Sequence, residues 1–84
     1  MKTPWVTAAT AFVRGHFREA AEIYGGTGSL PDEAFARLRA AEELIGAGGR
    51  GAGDEQLQQA LAFYRSVGAN AYLRQGEALL ARTA

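Results

Sequence analysis

Residues 4–31, PWVTAATAFVRGHFREAAEIYGGTGSLP, decide how this chain folds. Trp5, Ala8, Ala9 and Phe12 recur at the three- and four-residue spacing of one helix face. Thr3 predicts an N-cap, and Pro4 suits the first helical position, where a missing N–H loses no partner. Gly15 breaks the pattern. Phe17, Ala20, Ala21 and Tyr24 then stand at i, i+3, i+4 and i+7, predicting a helix over 17–24 closed by Gly25, Gly26 and Gly28. Two such helices with a glycine turn between them predict a helical hairpin over about 4–25.

The same spelling continues outward. Ser29 and Pro31 mark another start, with Asp32 and Glu33 in the first turn, where the helix dipole favours negative charge. Phe35, Leu38, Ala41 and Ile45 form the next apolar stripe, flanked by Ala34 and Leu44. A glycine-rich connection is expected over Gly46–Gly53, with Asp54 as the next N-cap. Leu57, Ala60, Leu61 and Tyr64 then repeat the stripe, extended by Val67, and Gly68 suits the left-handed position after a helix end. This predicts a second hairpin over about 31–67. A last helix over about 70–82 presents Tyr72, Gly76, Leu79 and Leu80; Gly76 inside it implies tight packing against the preceding helix. Nothing alternates like a strand. The chain reads as one all-α domain of about five helices, two irregular helical units and a C-terminal capping helix.

Trp5, Ala8, Ala9, Phe12, Ala20, Tyr24 and Pro31 spell W-x2-A-A-x2-F, A-x3-Y and a closing P, which resembles the tetratricopeptide pattern. A second copy follows: Phe35, Leu38 and Ala41 lie 30 positions after Trp5, Ala8 and Ala11, and Ala60 and Tyr64 lie 40 after Ala20 and Tyr24. The stretch from Leu30 to Ala81 resembles the C-terminal array of large bacterial signalling proteins, in which a cyclase-like or regulatory domain and an AAA-type ATPase precede the repeats. The resemblance implies a non-catalytic, cytoplasmic interaction scaffold, holding a protein or peptide partner or adjacent repeats of a parent chain. Arg39 and Glu42 depart from the pattern, standing where it prefers a small residue and an aromatic. Some relatives clamp a peptide carboxylate with lysine, asparagine and arginine; Val6, Thr10, Ala36 and Ala40 occupy those positions here and argue against that ligand. A self-associating homodimer is the alternative, and a small nucleotide-binding protein the remote one.

Composition narrows the chemistry. Eighty-four residues make one small domain, near the lower limit for a self-sufficient core. There is no cysteine and one histidine, so neither a disulfide framework nor a good set of zinc or iron ligands is available, and no metal or cofactor is expected. Lys plus Arg balances Asp plus Glu at nine each, which leaves no net field to attract nucleic acid or an anionic membrane. No run reaches the roughly 18 apolar residues of a membrane span. Met1-Lys2 followed by Pro4–Val13 has the outline of a short signal peptide, but threonines dilute the run and Arg14 ends it.

No catalytic residue emerges. Gly46-Ala47-Gly48-Gly49-Arg50-Gly51 matches G-x-G-x-x-G, yet that fingerprint requires a preceding strand, and a helix-like run precedes it here. Gly25–Gly28 lacks the lysine and Ser/Thr of a P-loop. The acidic neighbours Asp32-Glu33, Glu42-Glu43 and Asp54-Glu55 cannot share a helix face. Arg14, His16 and Arg18 are expected to cluster at the first turn. The eight aromatic residues are expected mostly in the core, with Phe63 off its helix's stripe. Val6, Arg14, His16, Arg37 and Phe63 are the candidate partner contacts.

Overall fold

The computed structural model describes residues 3–83, and side chains through residue 82; Met1 and Lys2 of the leader-like start lie outside them. Five helices follow one another: α1 (Pro4–Val13), α2 (Phe17–Gly26), α3 (Leu30–Gly46), α4 (Arg50–Val67) and α5 (Asn70–Thr83). No strand occurs among the described residues. Thr3 caps α1, its Oγ1 accepting from Val6 N–H at 3.3 Å. At the start of α3, Ser29 Oγ donates to Asp32 Oδ2 at 2.6 Å instead of receiving a backbone N–H.

Two expected boundaries change. The glycine-rich stretch is not a loop from Gly46 to Gly53: the connection is only Ala47–Gly49, and α4 begins at Arg50 with Gly49, not Asp54, as N-cap. Gly48 makes the reversal at φ 87°, and Gly49 N–H reaches back to the Leu44 carbonyl at 2.7 Å. Once those contacts close the turn, Gly51 and Gly53 are carried inside the helix despite their poor propensity. Similarly α2 continues through Gly25 and Gly26 rather than ending at Tyr24, and Thr27 Oγ1 donates to the Tyr24 carbonyl at 2.8 Å.

Connections of three residues or fewer make chain neighbours packing neighbours. Trp5 meets Tyr24 while Phe12 meets Phe17, so α1 and α2 run antiparallel. Ile45 abuts Gly53, and Tyr64 faces Tyr72 while Leu61 faces Gly76, so α3/α4 and α4/α5 are antiparallel too. Phe35–Tyr72 and Arg39–Gln75 contacts then place α3 alongside α5 in the same direction.

Alanine sets the spacing. One core cluster joins Ala11, Ala20, Ala21 and Ala36 across α1, α2 and α3; the other joins Ala34, Leu38, Ala41, Leu57, Ala60, Leu61, Tyr64 and Leu79 across α3, α4 and α5. Burying a leucine contributes roughly 2 kcal/mol and each CH₂ group about 0.8. The leucine-bearing second cluster therefore contributes most of the apolar stabilisation. Because the helices approach over alanines, the interior has little room for rings. Of the eight aromatics, expected mostly in the core with Phe63 as the exception, only Tyr64 is buried, and Trp5 and Tyr72 are exposed at 53% and 39%. The rings line the edges instead.

Candidate functional site

The edge rings form a chain. Phe17 meets Phe12 edge-on at 5.0 Å, Phe12 stacks on Phe35 at 5.7 Å, and Phe35 meets Tyr72 edge-on at 6.1 Å. Tyr72 stacks on Tyr64 at 4.9 Å, and Phe63 closes the series against Tyr64 at 5.7 Å. Pairs in these offset and edge-on arrangements each add about 0.5–1.5 kcal/mol beyond their buried area.

At its α4–α5 end this chain borders a cleft of about 510 Å³ lined by Pro31, Asp32, Phe35, Phe63, Tyr64, Val67, Ala69 and Tyr72. The antiparallel packing explains it. The first turn of α3, the last turn of α4 and the first turn of α5 all arrive at one end of the molecule. Gly68, left-handed at φ 67°, turns the chain between the last two. Val67 and Tyr72 stay open to solvent above the half-buried Phe35 and Phe63. Such a wall is apolar, aromatic and concave, the character of a ligand or peptide groove.

Two polar features lie close to the cleft, the Tyr64 hydroxyl on a lining residue and Arg39 behind Phe35, outside the lining. The Tyr64 hydroxyl is buried with no hydrogen-bond partner, a group that costs stability. Burial, reinforced by Tyr72 and opposed by Arg39, pushes its phenol up to about 12. Arg39 lies over the Phe35 ring at 4.8 Å and donates to both Glu42 carboxylate oxygens at 2.8 and 2.7 Å, so its charge is matched within α3. The two departures from the repeat pattern, Arg39 and Glu42, are thus each other's partners.

The sequence candidates do not gather in this cleft, although Arg37 and Phe63 share one hollow, Val6 and Arg14 another, and Arg14 and His16 a third. Phe63 forms a wall of the cleft and also of a second hollow of about 340 Å³ with Leu30, Ala34, Gln59 and Ala62. Arg37 is not a free surface cation: its side chain is only 12% exposed, gripping Glu33 at 2.7 Å and Gln56 Oε1 at 2.8 Å. Val6 lies at the far side on the outer face of α1 with Ala9, Thr10 and Val13, where Val13 is 85% exposed. Arg14 and Arg18 line separate hollows on either side of His16. Glu19 borders both, and its Oε2 is 3.6 Å from His16 Nδ1, so acid is interleaved with the expected basic cluster.

Sequence placed Asp32 at a helix start, Val67 on the fourth helix's stripe and Tyr72 on the last helix, but not as contacts, because three helix ends must meet before they share a surface. Among the described residues no group of three His, Cys, Asp or Glu side chains could hold a metal ion, and no helix is long and apolar enough to cross a membrane. The G-x-G-x-x-G residues span the end of α3 and the start of α4, with no strand before them.

No protein-family model matches the chain, and comparison with curated proteins and with solved structures gives no match.

Proposed function

We propose that this chain is a tetratricopeptide-like, non-catalytic interaction scaffold, belonging to a larger cytoplasmic bacterial signalling protein, that receives an apolar segment of a protein partner. The aromatic cleft between α3, α4 and α5 carries this reading. Val67 and Tyr72 remain exposed there although the rest of their helices bury apolar stripes, and rigid aromatic walls bind with little loss of side-chain freedom. The alternation of antiparallel neighbours, with α3 running alongside α5, accords with stacked two-helix repeats.

Selection of displayed random peptides on the intact chain tests it. Enriched peptides should carry apolar or aromatic anchors and should lose binding to Val67→Asp and Tyr72→Ala, each checked for retained helix content. They should bind Val13→Asp as they bind the parent. Peptides indifferent to both cleft substitutions, or no enrichment, would reject the reading.

The outer face of α1 favours a second reading, self-association. Trp5, Val6 and Val13 are exposed on a helix with no acidic or basic side chain between Pro4 and Val13. Repeat units ordinarily cover such a face with a neighbour. Light scattering over a wide concentration range decides: a dimer that Val6→Glu converts to monomer supports this reading, and a monomer throughout removes it.

A further inference from the structure

We infer that the cleft selects a lysine side chain of the partner, its alkyl stem lying along the rings and Asp32 receiving the ammonium head. This rests on the reading of the cleft as a docking groove and adds a charge preference to it. The lining of Pro31, Phe35, Phe63, Tyr64, Val67, Ala69 and Tyr72 is uncharged, and Asp32 is the single ionisable carboxylate among the residues that form it.

The two arginines of α3 are already matched. Arg37 is bound to Glu33 at 2.7 Å, and Arg39 to Glu42 at 2.7 Å. Asp32 enters no ion pair among the described residues. Its one side-chain partner is the Ser29 hydroxyl, which donates to Oδ2 at 2.6 Å and leaves the remaining acceptor positions facing solvent. An exposed carboxylate beside aromatic and aliphatic walls matches a long apolar stem with a positive tip. Ring faces attract the same cation. An anionic ligand would meet Asp32 unfavourably, and Arg39, neutralised by Glu42 and seated over Phe35, offers it little in return.

Three ligands with one tail and different heads test this by amide chemical-shift titration of the intact chain near pH 7: n-hexylammonium, 1-hexanol and hexanoate. The ammonium should bind about fivefold more tightly than the alcohol, the factor expected of one exposed charge pair at about 4 Å. Hexanoate should bind weakest. Shifts should centre on Phe63 to Tyr72. In Asp32→Asn most of the difference between the ammonium and the alcohol should vanish, leaving only what the ring faces contribute, while the alcohol binds as in the parent chain. Equal binding of ammonium and alcohol to the parent chain overturns the charge preference and leaves the apolar groove standing. Tightest binding by hexanoate overturns it in favour of selection by Arg39. No shift with any of the three overturns the preference and removes support from the groove itself.

Discussion

Gly76 of α5 lies directly against Leu61 of α4: a Cβ on the glycine would overlap Leu61 Cδ2 and come within 3.4 Å of Leu57 Cδ1. Both leucines are fully buried, so neither has room to retreat. The glycine that weakens α5 as an isolated helix is what allows it to close on α4.

Gly76→Ala should therefore destabilise the protein by about 1–3 kcal/mol, the usual cost of overpacking, although alanine is the better helix former by about 1 kcal/mol. Urea unfolding measures it. An increase in stability would mean that α5 does not pack this closely.

Two glycines in the first turns of α4 should respond with opposite signs. A Cβ on Gly53 would stand 2.6 Å from Ile45 Cγ1, whereas one on Gly51 meets nothing within 4 Å. Gly51→Ala should stabilise by about 0.5 kcal/mol through helix propensity. Gly53→Ala should destabilise by about 1–3 kcal/mol. If both substitutions stabilised, α4 would begin at Asp54 after an open loop.

Arg37 bridges Glu33 on its own helix and the buried Gln56 on α4. Arg37→Met retains most of the packed stem but strips both acceptors of their donor, so a loss of about 1–3 kcal/mol is expected. Chemical denaturation of this variant provides the measurement. An unchanged midpoint would show the bridge to be dispensable.

The raised Tyr64 phenol predicts alkaline sensitivity. Its ordinary value is 10.0 and its folded value about 12, so the folded chain holds the proton where the unfolded chain releases it. The contribution is present below pH 10 and is lost as pH rises from 10 towards 12. Tyr64→Phe should flatten this decline and, by removing an unpartnered buried hydroxyl, add up to about 1 kcal/mol at neutral pH. Thermal melts from pH 8 to 11 read both effects; identical alkaline slopes in the two proteins would place the titration on another tyrosine.

Much of the helix architecture was legible in local spacing. The stripe through Leu57, Ala60, Leu61 and Tyr64 is the buried face of α4, Thr3 caps α1, and Gly68 adopts the left-handed conformation expected after Val67. These features need only the period of the helix and the geometry of one turn. The start of α4 was not legible. Local propensity favours Asp54 over Gly49, and only the docking of Gly53 beneath Ile45 makes five extra helical residues worthwhile. Phe63 was recognisable as off-stripe, but nothing near it in sequence reveals Asp32 or Tyr72 as neighbours across the cleft.

The sequence by itself determined that the chain is helical, that five helices follow one another, and which stripe of α2, α3 and α4 turns inward; on α1 the expected Trp5 and Ala9 lie exposed and Ala11 is buried instead. Those properties repeat every three or four residues and are decided by neighbours along the chain. Tertiary structure alone decided that aromatics would line an open cleft rather than fill the core, and that Arg37 would be held inside while Asp32 stayed free of an ion pair. Alanines bring the helices too close for rings other than Tyr64 to enter. Where a displaced ring or charge then comes to rest depends on side chains from two other helices, which no local pattern contains.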